Sequence, residues 1–216
     1  MTSGPDFSTE IALRDRGFQH ICGTDEAGRG PLAGPVIAVA VILDPDNIPA
    51  GLDDSKKLTE TKRTSLFDVI LQNATTSIAS VSAATIDATN IRAASLQAMR
   101  LAVIALEIEA DYVLIDGNAL PNVLPCPGET LIKGDSRSLS IAAASIVAKV
   151  TRDRMMAAHH VTWPEYGFAE HKGYPTAAHR KAVAEFGPCP IHRRSFAPVR
   201  EALAKNNPPP VSRGGF

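Results

Sequence analysis

The feature that most constrains this chain is the run Val36 to Leu43, Val-Ile-Ala-Val-Ala-Val-Ile-Leu, in which eight consecutive residues are apolar and five of them are β-branched. Such a strand has no polar face to turn to water, so both of its sides must be covered. Before it lies a Gly/Pro-rich stretch, Ala27 to Pro35, that reads as a turn, and before that Gln19 to Thr24 reads as a short strand expected to pair with it. Helical spacing of apolar residues follows in Leu58 to Leu71 and Ile91 to Glu109, with Thr75 to Ala83 as a strand between them and Tyr112 to Ile115 as another after them. Ala-rich Ser138 to Ala158 reads as a helix, His171 to Pro175 as a loop, and Ala177 to Phe186 and Pro198 to Lys205 as the last helices. The alternation argues for an α/β architecture without fixing its strand order. Residues 1–18 are expected to be a flexible segment, 19–205 a single domain, and 206–216, with Pro208, Pro209, Pro210, Gly214 and Gly215, a disordered tail.

Composition excludes several classes. A chain of 216 residues, 44% apolar and 21% charged, suits one globular domain. The start, MTSGPDFSTE, has no basic region followed by an apolar stretch, and no long uncharged apolar run occurs, so secretion and membrane insertion are not indicated and the cytoplasm is the expected compartment. Cys22, Cys126 and Cys189 form no CxxC pair and are read as free thiols. The net charge of -1 conceals an asymmetry: residues 131–216 carry 13 Lys and Arg against 6 Asp and Glu, and the remainder carries 9 against 17. An acidic part suits cations and a basic part suits phosphates.

The residues that bear chemistry are carboxylates at strand ends and turns. Asp25 and Glu26 are expected to end the first strand, Asp116 to end Tyr-Val-Leu-Ile and open the turn Asp116-Gly117-Asn118, and Asp135 to sit just ahead of the Ala-rich helix. Converged, they would form a pocket of hard oxygen donors suited to magnesium or manganese, and two such ions could clamp a phosphodiester during an in-line displacement. Taken singly, each has a plainer reading as a turn former or helix cap. Adjacent Asp25 and Glu26 would also point to opposite faces of a regular strand, so sharing a site requires the strand to end or bulge there.

Other motifs fail. Gly28 to Gly34 lacks GxGxxG spacing and leads into a strand rather than a helix, no Walker A lysine follows, and no GxSxG occurs. The six histidines, His20, His159, His160, His171, His179 and His192, show neither HExxH nor paired Cys/His spacing and are read as surface or hydrogen-bonding groups.

The block Gly23-Thr24-Asp25-Glu26-Ala27-Gly28-Arg29-Gly30-Pro31-Leu32-Ala33-Gly34-Pro35-Val36 resembles the opening signature of the ribonuclease HII family. Asp54 to Leu58, Leu114 to Asn118, Lys133 to Ser136, Ala143 to Asp153, Tyr166 to Phe168, His171 to Pro175 and Arg193 to Phe196 resemble later blocks of that family in order and spacing, from about His20 to about Arg200. The resemblance implies an RNase H-like fold, a mixed sheet flanked by helices, with a helical C-terminal region. It implies Asp25, Glu26, Asp116 and Asp135 as the catalytic and metal-site residues, with Mg²⁺ or Mn²⁺ and two ions in catalysis. It further implies that Gly28, Arg29 and Gly30 approach the ribonucleotide and that Tyr174 packs on the sugar at an RNA-to-DNA junction. Two glycines would let backbone reach the 2′-hydroxyl that separates RNA from DNA.

Lys56, Lys57, Lys149, Lys172, Arg193 and Arg194 are candidates for phosphate contacts, which position a duplex without reading it. Ser145, inside the Ala-rich helix, is read as a small residue for close packing. The expected activity is metal-dependent cutting of the RNA strand of RNA–DNA hybrids on the 5′ side of a ribonucleotide, leaving 3′-hydroxyl and 5′-phosphate ends, with roles in ribonucleotide removal and primer degradation. The expected partner is an RNA–DNA hybrid or ribonucleotide-containing duplex; no sliding-clamp motif of the glutamine-plus-aromatic kind is evident, and a monomer is expected. Two rival readings remain at this stage: a non-catalytic nucleic-acid-binding module, and a DNA-cutting nuclease of the wider RNase H-like superfamily.

Overall fold

The structure is a computed structural model and describes residues 4–206. Helix α1 spans Ser8–Asp15, strands β1 and β2 span Ile21–Ala27 and Val36–Leu43, α2 spans Glu60–Asn73 and β3 Ala74–Val81. Then come α3 (Ala83–Ala88), α4 (Ile91–Ile104), β4 (Tyr112–Asp116), β5 (Gly128–Leu131) and the long α5 (Leu139–Thr162). Short α6 (Phe168–His171), α7 (Ala177–Phe186) and α8 (Ala197–Asn206) form the helical C-terminal region.

The five strands lie in the order β3-β2-β1-β4-β5. β1 pairs antiparallel with β2 and parallel with β4, so the sheet is mixed. The apolar β2 behaves as its composition demands. Val36, Ala38, Ala40 and Ile42 pack into a core under α4, and Ile37, Val39, Val41 and Leu43 into a second core with α2 and α5. Every residue of β2 is buried, because helices cover both faces.

Helix α5 crosses β1 at very close range. A Cβ on Gly23 would lie 2.2 Å from the Ser140 carbonyl carbon, so only glycine admits that approach. The start of α5 is fixed by the Ser138 side chain, which accepts from the Ile141 amide at 3.2 Å. Glu10 of α1, fully buried, accepts at Oε1 from the Ser138 hydroxyl at 2.6 Å and the Ser140 amide at 3.0 Å. A carboxylate there also complements the positive end of the helix dipole.

Within the segment 1–18 expected to be flexible, that contact holds the helix Ser8–Asp15 against the core. The eight-residue α1 is short and polar on average, but Glu10 and Leu13 anchor it from one side. β5 and α3 were equally invisible in the sequence, being four and six residues long with no repeating apolar pattern. The tail from residue 207 onward lies outside the described residues.

Candidate active site at the ends of β1 and β4

β1 does not end at the acidic pair. It stays regular through Asp25↔Val39, Glu26↔Ala38 and Ala27↔Ile37, which corrects the expectation that the strand stops or bulges there. Asp25 therefore faces the α5 side with Val39, and Glu26 faces the α4 side with Ala38. The two still serve one site because β4 stops at Asp116, while the parallel register Thr24↔Ile115 brings Asp116 level with Asp25. Past that point Glu26 has no neighbouring strand on the β4 side, and its carboxylate lines a small cavity of about 40 Å³ together with Asp116, Arg29 and Ser95. Asp135 enters from the single turn of 3₁₀ helix, Gly134–Ser136, ahead of α5. The Asp116 carboxylate fixes that turn by accepting from the Gly134 amide at 2.7 Å.

The electrostatics bear on all four groups. Burial, then the charges of Glu26 and Asp116, push the Asp25 carboxyl well above the usual carboxylate range. Burial also raises Glu26, against the pull of Arg29, whose Nη1 lies 3.2 Å from Oε1. Asp135 is raised by burial and by Asp116. Burial opposes the Lys56 ammonium, yet Asp135, Asp54, Asp25 and Asp116 together hold its pKa above the ordinary value. Its Nζ lies 3.8 Å from Asp135 Oδ2. Among the described residues no three of these side chains are drawn in tightly enough to encircle an ion. The arrangement is a mouth of carboxylates rather than a closed coordination sphere. Its donor set nonetheless fits hard divalent cations, since buried oxygens that repel one another gain most from positive charge between them.

Two residues outside the expected set support Asp25. The Ser145 hydroxyl lies against it, and Ser145 Oγ is 2.8 Å from the buried Ser55 Oγ. Ser145 is thus more than a small packing residue.

The remaining expected residues fall into distinct groups. Arg29 and Gly30 are exposed on the β1–β2 turn, and a Cβ on Gly30 would lie 3.6 Å from the Tyr174 ring. Tyr174 is 42% exposed, with the Lys149 ammonium and the Arg152 guanidinium each 6.0 Å from its ring centre. Gly28 is buried, and its need for glycine has a different cause from the expected close approach to substrate: φ is +100° and a Cβ would meet Arg152 Nε at 2.1 Å. Lys57 pairs with Asp53 at 3.1 Å, Lys149 pairs with Asp153 at 2.8 Å, and the Lys172 ammonium folds onto the Ala169 carbonyl. Arg194 is exposed, and its amide is held by Asp87 at 2.8 Å.

Arg193 is a correction. It is fully buried and commits four of its five N–H groups to the carbonyls of Gly34 at 3.0 Å, Arg29 at 2.9 Å, Gly28 at 2.5 Å and Pro35 at 3.2 Å, so its head lies out of reach of a phosphate at the surface. Arg152, unnoticed in the sequence, is 1% exposed and donates to the carbonyls of Pro35, Ala33 and Lys172 at 3.0–3.1 Å. Its spacing carried a signal. Ile141, Ser145, Ala148 and Arg152 fall on one face of α5, so an arginine was already placed on the inward stripe.

Histidines form the floor of the Tyr174 loop. His179 Nδ1 lies 2.9 Å from the Tyr174 carbonyl and must donate to it, which leaves Nε2 to accept from His192 Nε2 at 3.0 Å. His192 Nδ1 then accepts from the Cys189 amide at 3.0 Å. The partners thereby assign both tautomers and require both rings to be neutral.

Comparisons with known proteins identify the family. The ribonuclease HII family profile matches residues 22–199. The chain is 60% identical over 210 residues to "Ribonuclease HII" of Sinorhizobium fredii (strain NBRC 101917 / NGR234), covering 97% of this chain and 90% of the relative. It is 58% identical over 198 residues to "Ribonuclease HII" of Agrobacterium fabrum (strain C58 / ATCC 33970), covering 92% and 91%. The crystal structure of the ribonuclease H2 from Pyrococcus horikoshii OT3 superposes with a TM-score of 0.74 at 25% identity, covering 87% of this chain and 98% of that one. With a family profile that spans most of the chain and relatives of this similarity, the chain belongs to the ribonuclease HII family and is a ribonuclease H, a hydrolase of the RNA in RNA–DNA hybrids.

Proposed function

We propose that this enzyme cuts on the 5′ side of a ribonucleotide, both in RNA–DNA hybrids and at single ribonucleotides embedded in duplex DNA, leaving 3′-hydroxyl and 5′-phosphate ends. The observation that carries the reading is the meeting of Asp25, Glu26, Asp116 and Asp135, three of them with raised pKa, with Lys56, Arg29 and Arg92 as nearby cations. These carboxylates would hold two Mg²⁺ or Mn²⁺ ions. Such ions, when bound, supply positive charge to the phosphate and lower the pKa of a bound water.

The chain's own residues do the rest. Asp25, placed by β1 and steadied by Ser145, and Asp116, tied to the Gly134 amide, present oxygens from two adjacent strand ends. Lys56, 82% exposed at its side chain, stands beside Asp135 where it can meet a phosphate. Arg29 and Gly30 bring backbone toward the ribose, and the half-exposed Tyr174 ring beside Gly30 offers a surface on which a sugar without a 2′-hydroxyl can pack. Lys57, Lys149, Lys172 and Arg194 surround this line as candidates for duplex phosphates. The enzyme would act as a cytoplasmic monomer, removing misincorporated ribonucleotides and RNA primers. No helix among the described residues is long and apolar enough to cross a membrane.

The test is to incubate purified protein with a labelled DNA duplex containing one ribonucleotide, with Mg²⁺, Mn²⁺ or EDTA, beside an all-DNA duplex. Metal-dependent cutting on the 5′ side of the ribonucleotide alone is expected. Cutting of all-DNA duplex would favour a wider superfamily nuclease, and binding without cutting under any metal would favour a non-catalytic module.

A further inference from the structure

Arg152 and Arg193 bury two guanidiniums side by side, and neither has a carboxylate within ion-pair distance among the described residues. Burying charge without a counter-charge is costly unless every donor is bonded. Here carbonyls do the bonding. Arg193 takes those of Gly28, Arg29, Gly34 and Pro35, and Arg152 takes those of Ala33, Pro35 and Lys172. The Pro35 carbonyl is shared by both, so the two side chains form one clasp.

The clasp has a directional consequence. In a trans peptide the C=O and the following N–H point in opposite directions. Because the Gly28 and Arg29 carbonyls point inward to Arg193, the N–H groups of Arg29 and Gly30 point away from it. Neither amide finds a protein acceptor among the described residues. Arg152 adds a bridge, since its Nη1 reaches the Lys172 carbonyl at 3.0 Å, two residues before Tyr174. The Leu32 amide strengthens the same junction by donating to the Gly173 carbonyl at 2.8 Å.

We propose that Arg152 and Arg193 are positioning residues for ribose recognition: Arg193 turns the Arg29 and Gly30 amides toward substrate, and Arg152 holds that turn in register with Tyr174. This rests on the reading of the turn and Tyr174 as the ribose-sensing elements. A lysine could keep the charge, but it lacks the planar fork that serves three or four carbonyls at once. Neither arginine touches the reacting atoms, so each acts through the backbone it holds.

The experiment compares wild type, Arg152→Lys, Tyr174→Ala and the double variant on a single-ribonucleotide duplex and on a uniform RNA–DNA hybrid. Thermal melting with and without Mn²⁺ reports the fold and the carboxylate centre. Arg152→Lys should keep a cooperative melt and the Mn²⁺ response while its kcat/KM ratio, single ribonucleotide over hybrid, falls by about 10-fold or more. In the Tyr174→Ala background the same substitution should change that ratio little, since both act on one element. An unchanged ratio in folded Arg152→Lys, or losses that multiply in the double variant, would overturn the proposal. Equal loss on both substrates would do so as well, because it marks a merely structural role.

A measurement on unaltered arginines covers the case where Arg152→Lys does not fold. With ¹⁵N-labelled arginine in the Asp116→Asn protein, the Arg152 Nε–H signal should differ between bound single-ribonucleotide duplex and bound all-DNA duplex; identical signals overturn the coupling. A wild type that cuts without regard to ribose sinks the functional reading itself. A ribose-dependent wild type with an unchanged variant sinks only the clasp.

Discussion

At the ends of β1 and β4, buried carboxylates crowd together with two partly exposed cations beside them, whereas under the β1–β2 turn two buried guanidiniums crowd together with no carboxylate within ion-pair distance among the described residues. Both regions bury like charges, yet only one is complete. The guanidiniums spend their donors on carbonyls that cannot leave, so that region is rigid and self-sufficient. Asp25, Glu26 and Asp135 have pKa values raised by burial and by neighbouring carboxylates, so that region gains from added positive charge. A region suited to cations and a scaffold built on cations can thus be told apart by how each satisfies its polar atoms.

The sharpest way to break this contrast is Asp25→Asn. Cleavage should fall by about 10³-fold, equivalent to roughly 4 kcal/mol of transition-state stabilisation. In urea unfolding without metal the variant should be at least as stable as wild type, because a repelled buried carboxylate has gone. Added Mn²⁺ should raise the midpoint of wild type and not of the variant. Near-normal turnover in pure variant protein would remove Asp25 from the site.

Arg193→Met should do the reverse. Leaving the Gly28, Arg29 and Gly34 carbonyls buried without donors should cost about 3 kcal/mol or more in urea unfolding. A loss below about 1 kcal/mol would mean that the guanidinium is not holding the turn.

Acid separates the regions again. Burial lowers His179 to about 4 and His192 to about 4, and their shared hydrogen bond requires neutral rings. The unfolded chain therefore takes up protons first, and stability should fall as pH drops from about 6.5 toward 4, on the order of 3 kcal/mol for each ring. The raised carboxylates have the opposite sign: the folded state holds their protons more tightly, so they favour folding as pH falls. Urea midpoints across this range should consequently drop more steeply in Asp25→Asn than in wild type. A flat profile in both would show that the histidines carry no such linkage.

The smallest expected effect is at Gly30→Ala. A Cβ there meets only ordinary contact with Tyr174 at 3.6 Å, so unfolding should shift by under about 0.5 kcal/mol while cleavage at a single ribonucleotide falls several-fold. Gly28→Ala, colliding with Arg152, should destabilise clearly more. Equal behaviour of the two would undo the distinction between a substrate-facing glycine and a clasp-facing one.

Much of this protein could be read from its sequence, for reasons particular elements make plain. β2 was legible to the residue because eight apolar residues in a row leave a chain no alternative to double burial. α7 was legible because its helical spacing runs from a Thr176 cap to Gly187. The carboxylates Asp25, Glu26, Asp116 and Asp135 could be singled out as a set because each was expected at a strand end or just ahead of a helix, and the ordered blocks around them resemble a single family.

What tertiary structure decided is everything that depends on which groups meet across the chain. That Glu26 joins the site from a regular strand follows from β4 stopping one step short of it, a fact of register and not of composition. That α1 is anchored follows from Glu10 meeting Ser138, 128 positions away. Arg193, in a basic doublet, looked like a phosphate contact, and only its four backbone acceptors show otherwise. The physical reason is common to all three: residue type determines what a group requires, water or burial, donor or acceptor, and only the folded chain determines which partner supplies it.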